Sequence, residues 1–390
     1  MLLTQPCSAT SLREPVEDAT RMTVVPALDS SDAGSQMSQT NYFLYVGVYG
    51  EGIYAYHYRT TDAELEGIGL VGEVVNPSFI ATDRDFRFLY AVSELEGNVD
   101  GGVAAFAIDR ASGALKKLNS LSSAGQAPCH LSVDHSTKIL LVANYATGSV
   151  SVFPLEQDGH LGEMSALMTA HGSSVNPERQ EGPHAHEAII SADNRFVYVP
   201  DLGLDHIRIY QLDPANAKLV PNDPAFVKVE AGAGPRHIAL SSNGRFAYVV
   251  NELKPLVTTF KRDPANGSLK QIQSIAAVPQ DSGAENGQAG IEIHPERKFL
   301  YVSNRGPGTL MTFAINPDDG TLKQIQVAQT GGTWPRGFRI DPTGRLLIVG
   351  DQKANRFVIF DIDRTNGRLS LTARAFQVPS PVDFLFVPAQ

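Results

Sequence analysis

Short apolar runs recur along the chain, each followed by a stretch in which apolar and polar residues alternate. Seven such runs begin at Phe43, Phe88, Ile139, Phe196, Phe246, Phe299 and Leu346, 45 to 57 residues apart. Alternation with a period of two, interrupted by Gly, Asn and Asp, is typical of β-strands joined by tight turns. The pattern therefore predicts seven repeats of an all-β unit.

Each repeat carries further strand and turn signals around its apolar run. A proline stands 11 residues before four of the runs, at Pro77, Pro128, Pro235 and Pro335. An alternating strand follows most runs, then a turn of the form D-x-x-x-G-x-L such as DRASGAL, then a fourth strand such as KQIQSI. Four antiparallel strands repeated seven times predict a seven-bladed β-propeller with almost no helix.

The two ends of the repeat region complement each other. Residues 381–386 look like the first strand of a repeat whose apolar run is missing, while the run at Phe43 lacks a preceding strand. We therefore expect the C-terminal strand to pair with the N-terminal blade and close the ring, which removes exposed sheet edges. Residues 1–40 are rich in Ser, Thr, Asp and Ala without periodicity and are predicted to be a disordered leader. The propeller domain is predicted to span residues 41–390.

Composition narrows the possible partners. The net charge of −10 argues against nucleic acid or an anionic membrane as a main partner. No apolar run is long enough to span a membrane, and the N-terminus lacks the features of a signal peptide. The two cysteines, Cys7 and Cys129, imply no disulfide framework. We expect a cytoplasmic protein that is a monomer or a weak oligomer.

Propeller topology predicts where a site would lie. In each blade the start of strand 1 and the end of strand 2 meet on one face beside the central channel. The strand 1 positions are Ser78, Cys129, His186, Arg236, Ala289, Arg336 and Val382. The strand 2 positions are Tyr49, Glu94, Tyr145, Leu202, Glu252, Arg305 and Gln352. These positions differ from blade to blade, which favours one asymmetric site built on a symmetric scaffold.

A neighbouring position at the end of strand 2 is more uniform. It holds Ser93, Asn144, Asp201, Asn251, Asn304 and Asp351. Such short polar side chains usually cap the following turn by bonding local backbone N–H groups. Asn304 is in addition predicted to contact substrate.

The charged positions at the mouth suggest a chemistry. Three guanidiniums, of Arg236, Arg305 and Arg336, suit a phosphate or carboxylate held bidentately. His186 and Glu252 beside them are suited to general acid–base work. The alternative is a closed ring of salt bridges that plugs the channel.

Other polar groups at the mouth are weaker candidates. Tyr145 and Gln352 are predicted to contact substrate, as are His184 and His237, for which a hydrogen bond to a loop carbonyl is an equal alternative. The H-x-H pair in GPHAHE has no further ligand at suitable spacing, so neither a metal nor another cofactor is expected. Cys129 is read as a small packed residue.

Three segments carry a family resemblance: GPHAHEAIISADNRFVYVPDLGLDHIRIY, GPRHIALSSNGRFAYVVNEL and WPRGFRIDPTGRLLIVGDQ. They resemble the lactonase family of seven-bladed propellers, which includes the propeller-type 6-phosphogluconolactonases and the fungal carboxy-cis,cis-muconate lactonising enzymes. The resemblance covers about residues 42 to 389. It implies cytosolic, metal-independent lactone chemistry, with a catalytic His, two Arg and a Glu that fall by motif on His186, Arg236, Arg305 and Glu252.

The resemblance leads to three hypotheses. The first is hydrolysis of 6-phospho-D-glucono-1,5-lactone to 6-phosphogluconate in the pentose phosphate pathway. In this hypothesis Arg336, together with Arg236 or Arg305, binds the phosphate. His186 or Glu252 activates water, and a remaining Arg stabilises the oxyanion. The second is lactonase or cycloisomerase activity on another anionic substrate such as a carboxymuconate. The third is a non-catalytic interaction platform, whose expected mark is an apolar exposed face.

Overall fold

The chain folds into seven sheets, each of four antiparallel strands. The computed structural model describes residues 40–95, 97, 99–278 and 287–390. The predicted leader lies outside the described residues except for Thr40. We number the sheets as blades 1 to 7 in chain order, and each blade is written from its innermost to its outermost strand. Blade 1 consists of β28 (Pro381–Pro388), β1 (Asn41–Val48), β2 (Glu51–Arg59) and β3 (Glu64–Val75).

The remaining blades are continuous in sequence. Blades 2 and 3 consist of β4 (Ile80–Thr82), β5 (Phe88–Ser93), β6 (Asp100–Ile108), β7 (Leu115–Gln126), β8 (Pro128–Val133), β9 (Ile139–Asn144), β10 (Ser149–Pro154) and β11 (Ala166–Met168). Blades 4 and 5 consist of β12 (Ile189–Ile190), β13 (Phe196–Asp201), β14 (His206–Asp213), β15 (Lys218–Lys228), β16 (Pro235–Leu240), β17 (Phe246–Asn251), β18 (Leu256–Arg262) and β19 (Leu269–Ala276). Blades 6 and 7 consist of β20 (Gly287–Ile293), β21 (Phe299–Arg305), β22 (Thr309–Ile315), β23 (Leu322–Gln329), β24 (Pro335–Ile340), β25 (Leu346–Asp351), β26 (Arg356–Ile362) and β27 (Leu369–Gln377).

The predicted propeller is confirmed in its strand order and its closure. All seven apolar runs form the second strand of a blade. β28 pairs antiparallel with β1 from Tyr42 opposite Pro388 to Val48 opposite Pro381, so the two ends of the domain share one sheet. Within the described residues the helical content is a single 3-10 turn, Gln352–Ala354, and no helix is long and apolar enough to cross a membrane.

Burial explains why the second strands are apolar without alternation. Every residue of β17 is buried, because the faces of a blade pack against its two neighbours, whereas the outermost strand β19 is mostly exposed. Strands covered on both faces read as continuous apolar runs, and strands with one solvated face alternate. The core is accordingly a set of layers between adjacent blades.

A tyrosine in the second strand links neighbouring blades. The hydroxyl of Tyr198 in blade 4 donates to the carbonyl of Gly267 in the D-x-x-x-G-x-L turn of blade 5, at 2.8 Å. Tyr45, Tyr90 and Tyr301 make the same bond to Gly113, Gly159 and Gly367. Gly267 has a φ of 73° and packs on Phe196, which leaves no room for a Cβ. The turn recognised in the sequence therefore docks one blade on the next.

Candidate active site

The predicted mouth is present where strand 1 begins and strand 2 ends. Pro235 lies opposite Asn251 in blade 5, and Pro335 lies opposite Asp351 in blade 7. This register brings the variable residues that begin strand 1 and those that end strand 2 together around the central channel. A cavity of about 340 Å³ follows the inner strands and is lined near the mouth by Cys129, Arg236 and Arg336, among others.

Glu252 is the centre of the charged cluster at the mouth. Its carboxylate is 8% exposed, and its Oε2 accepts from Arg236 Nε at 2.8 Å and lies 3.0 Å from Arg305 Nη2. Its Oε1 accepts from Arg179 Nη2 at 2.7 Å. Burial opposes the charge on Glu252, but the guanidiniums of Arg305, Arg236 and Arg179 outweigh burial and hold the pKa of this carboxyl well below its ordinary value. Glu252 is therefore an anion and a weak proton acceptor.

His186 lies beside this cluster with one ring nitrogen available. Its Nε2 is 4.0 Å from Glu252 Oε2, which is too long for a hydrogen bond, and its Nδ1 is 3.6 Å from Cys129 Sγ. Burial lowers the pKa of His186 well below its ordinary value, and the nearby charges of Arg236 and Arg336 lower it further. The imidazole is therefore neutral at physiological pH and can accept a proton.

Arg336 belongs to a second cluster at the mouth. Its Nη2 donates to the Tyr49 hydroxyl at 2.7 Å, and this hydroxyl donates to Glu94 Oε2 at 2.6 Å. Ser78 Oγ donates to the same carboxylate oxygen. Tyr49, Glu94 and Ser78 were among the variable mouth positions, but their partnership could not be read from spacing.

The other histidines and Tyr145 form the wall of the mouth. Tyr145 stacks on His184, with ring centroids 4.6 Å apart, and its hydroxyl accepts from Arg179 Nη2 at 3.2 Å. His184 Nδ1 bonds the carbonyl of Tyr145 at 3.0 Å, which is the loop-carbonyl contact considered as an alternative. His237 Nε2 lies 3.1 Å from Arg236 Nη1, and burial lowers the pKa of His237 well below its ordinary value. His184 is thus engaged by protein groups.

Two predicted substrate-binding residues lie outside these clusters. Asn304 is fully buried, donates to Thr309 Oγ1 at 3.1 Å and accepts from Gln288 Nε2 at 3.3 Å. Gln352 begins the 3-10 turn, and within the described part of the chain its side chain makes no hydrogen bond. Of the short polar residues at the end of strand 2, Asp201 accepts the N–H of Leu204 in the following turn at 3.2 Å, as expected, whereas Asp351 accepts the N–H of Trp334, which precedes strand 1. The asparagines instead donate to strand 3, because an amide can do so and a carboxylate cannot.

Arg179 is the residue of the Glu252 cluster that sequence reasoning missed. It lies in the connection 169–188 between β11 and β12, outside the repeat pattern, so no position count could place it at the mouth. The one signal available was the length of this connection, since long connections in compact domains are often functional. Among the described residues, no three His, Cys, Asp or Glu side chains form a group that could hold a metal ion.

Farther along the channel, carboxylates on the inner strands, or just before them, accept hydrogen bonds from the backbone of the next blade. Glu187 accepts the N–H of Ile238 and Glu292 accepts that of Ile340. Asp383 of β28 does the same for Ile80 at 2.9 Å. These contacts place the three acids in a structural role.

Glu292 makes fold stability depend on pH. Burial raises its pKa to about 7, although Arg339 nearby lowers it. Between the ordinary value and pH 7 the folded state keeps a proton that the unfolded state releases, so this group lowers stability as pH rises. Glu292→Gln is expected to stabilise the protein by about 1–3 kcal/mol at pH 8 and by almost nothing at pH 4.5. Urea unfolding of both proteins at the two pH values measures this difference.

The control for this comparison is Glu66→Gln, which neutralises an exposed carboxylate on β3. It should shift stability by less than about 0.5 kcal/mol at either pH. An equal effect of Glu292→Gln at both pH values would contradict the raised pKa.

Comparisons with known proteins agree with this architecture. Residues 43–386 match the family model described as "Lactonase, 7-bladed beta-propeller". A 6-phosphogluconolactonase of Bacillus subtilis is 35% identical over 352 residues, which is 89% of this chain and 99% of the relative. A 6-phosphogluconolactonase of Formosa agariphila is 34% identical, covering 82% of this chain and 91% of that protein.

A solved relative has the same fold over its whole length. The periplasmic gluconolactonase PpgL of Pseudomonas aeruginosa superposes with a TM-score of 0.86 and 33% identity, covering 90% of this chain and 100% of that one. The family match spans all seven apolar runs and the residues of both mouth clusters. This chain belongs to the lactonase family of seven-bladed β-propellers.

Proposed function

We propose that this protein hydrolyses 6-phospho-D-glucono-1,5-lactone to 6-phosphogluconate. The observation that carries the proposal is the Glu252 cluster, in which a buried carboxylate organises three guanidiniums beside a neutral histidine at an open mouth. Such an arrangement suits an anionic substrate whose carbonyl gains negative charge during reaction. Relatives at about 35% identity carry the name 6-phosphogluconolactonase.

Proton transfer is assigned to His186. Water attacks the lactone carbonyl carbon and gives a proton to the imidazole, which then protonates the ring oxygen as the ester C–O bond breaks. Glu252 is the less available base because both of its carboxylate oxygens are already engaged by arginines. Its role is to fix Arg236 and Arg305 in place.

Oxyanion stabilisation is assigned to Arg236 and Arg305. Both side chains are buried and both are anchored to backbone carbonyls, Arg236 to Ala289 at 2.9 Å and Arg305 to Gly287 at 3.0 Å. Donors fixed before the substrate arrives do not have to reorganise when charge develops on the carbonyl oxygen. Substrate binding at the wall of the mouth is assigned to His237, His184, Tyr145 and Arg336. Asn304 and Gln352 lie outside this wall, and we assign them a supporting role in substrate binding.

A second candidate is hydrolysis of an unphosphorylated gluconolactone. The solved relative with this activity in its name matches the full fold. Cycloisomerisation of a carboxymuconate uses the same cations on carboxylates and is the alternative within the family. The polar mouth argues against a mere interaction platform, which would present an apolar face.

The setting of this activity follows from the same proposal. A phosphorylated sugar lactone is an intermediate of cytoplasmic glucose metabolism, which places the enzyme in the cytoplasm as part of the pentose phosphate pathway. The partner is then the small lactone rather than nucleic acid or membrane, and a monomer or weak oligomer suffices because both clusters come from one chain.

Arg236→Ala tests the proposal. We expect wild-type protein to hydrolyse freshly generated 6-phosphogluconolactone well above its spontaneous rate. Removing one preorganised donor should lower kcat by about 10²- to 10³-fold. Formation of 6-phosphogluconate is followed with its dehydrogenase. Lys254→Gln is the matched control, because Lys254 pairs with Glu230 and with the carbonyl of Ala231. No wild-type acceleration would overturn the proposed substrate.

A further inference from the structure

The connection that carries Arg179 is rigidly anchored. Gln180 is fully buried, donates to the carbonyl of Leu202 at 2.8 Å and accepts from the N–H of Asn176 at 3.1 Å. Asn176 Oδ1 in turn accepts the N–H groups of Glu178 at 3.0 Å and Arg179 at 3.2 Å. These bonds hold the turn at residues 176–180, so Arg179 is presented at the mouth before any ligand binds.

The guanidinium of Arg179 retains unused donors. Its Nη2 serves both Glu252 and the Tyr145 hydroxyl. Its Nε and Nη1 have no hydrogen-bond partner in the part of the chain that the structure describes. The side chain is 43% exposed, so these N–H groups are open to a ligand entering from solvent.

The other arginines at the mouth are placed differently. The side chains of Arg236 and Arg305 are 3% and 9% exposed, and most of their donors are engaged by Glu252 and by backbone carbonyls. Among the described residues, Nη2 of Arg236 and Nη1 of Arg305 have no protein partner, and these buried donors face the lactone carbonyl in the proposed function. Arg336 also has no protein partner for Nε and Nη1 among the described residues, but its Nη2 is bound to Tyr49, whose hydroxyl donates to the carboxylate of Glu94. A dianion near Arg336 would be repelled by Glu94. Beside Arg179, the charge of Glu252 is already compensated by two buried arginines.

We propose that Arg179 is the specificity-determining residue that binds the phosphate of the substrate and selects phosphorylated over unphosphorylated lactones. This inference rests on the proposed function. The lactone carbonyl would contact the buried side chains of Arg236, Arg305 and His186. The phosphate would accept hydrogen bonds from the free N–H groups of Arg179, which is partly exposed to solvent. Arginine suits this task because its planar fork matches phosphate oxygens. Arg179 thus acts in binding rather than in proton transfer.

Binding of the reaction products tests this inference without turnover. Isothermal titration calorimetry of wild type, Arg179→Gln and Lys254→Gln with 6-phosphogluconate and with gluconate gives two dissociation constants for each protein. We expect wild type to bind 6-phosphogluconate more tightly than gluconate. Arg179→Gln should weaken 6-phosphogluconate binding by about 10- to 100-fold more than it weakens gluconate binding, since a charge-assisted hydrogen bond to the phosphate is lost. Lys254→Gln should keep the wild-type ratio, and Arg179→Lys should recover part of it.

Kinetics of the same proteins separate this inference from the proposed function. For Arg179→Gln we expect a rise in KM for 6-phosphogluconolactone that exceeds any change in KM for glucono-1,5-lactone by at least about tenfold, because loss of the contact with Glu252 affects both lactones alike. Equal losses on both lactones would mean that Arg179 only positions Glu252 and would overturn the inference. An unchanged affinity ratio in calorimetry would also overturn it, even if turnover of the phosphorylated lactone is confirmed. If neither lactone is hydrolysed, the proposed function fails, and the calorimetric ratio still decides the role of Arg179.

Discussion

Replacing His186 with Asn is expected to lower kcat for 6-phosphogluconolactone by about 10²- to 10⁴-fold. The imidazole is the neutral base in the mouth, and its Nε2 is not hydrogen bonded to Glu252. Because burial and nearby arginines lower the pKa of His186, the base stays deprotonated as pH falls through 6.5. Wild-type kcat/KM should therefore be constant from pH 8 to 6.5 and fall only in more acidic buffer, as measured in a discontinuous product assay.

Two further variants test whether the loss of turnover is specific to His186. His57→Asn changes an exposed histidine of β2 and should leave turnover unaffected. Glu252→Gln removes the anion that organises the arginines, and here we expect a raised KM together with lower kcat. If His186→Asn retains more than a third of kcat while Glu252→Gln loses all activity, Glu252 is the general base and the assignment of proton transfer to His186 is wrong.

Deleting residues 381–390 is expected to abolish folding of the domain. The deletion removes β28 and with it Phe384, Phe386 and Val387, all buried against blades 1 and 7 or blade 2. Each large apolar side chain contributes about 1.5–3 kcal/mol, and β1 also loses its ladder partner. The summed loss of stability approaches the free energy of unfolding of a typical protein, which is about 5–15 kcal/mol. Far-UV circular dichroism and thermal melting of the purified product report the loss.

A shorter deletion serves as the comparison. Removing only residues 389–390 takes away two terminal backbone hydrogen bonds, from Ala389 to Asn41 and from Gln390 to Arg110. This change should lower Tm by no more than a few degrees. A synthetic peptide of residues 381–390 added to the longer deletion should restore cooperative melting. A cooperative transition near the wild-type Tm without that peptide would show that ring closure is dispensable.

The fold could be predicted in detail because its signals are local and repeated. The run FVYVPDL at Phe196 indicates a strand and the turn at Gly267 indicates a hairpin, each within a few residues. The run occurs seven times and the turn five times, at matching positions of the repeats. Alternation and turn chemistry set the register, and register fixes which residues line the mouth. His186, Arg236, Glu252 and Arg305 were therefore placed by counting, and the structure brings all four together.

The remaining features depend on contacts that no repeat position encodes. Arg179 reaches Glu252 across 73 residues of sequence from a connection with no counterpart in other blades. The choice between His186 and Glu252 as base follows from which of their atoms are already engaged by arginines, and spacing does not give these contacts. The pairing of Arg336 with Tyr49 joins residues 287 positions apart, at opposite ends of the chain.

Ring closure by β28 also orders events in time during protein synthesis. β1 leaves the ribosome before the other described strands, yet its inner neighbour β28 leaves after all of them, since Leu44 pairs with Phe386. At about 5–20 residues per second, the interval between them is roughly 20–70 s. Throughout that interval the apolar edge of β1 has no native partner on one side. Among the described blades, blade 1 is thus begun first and completed last, and until β28 emerges its open edge can pair with another chain or with a chaperone.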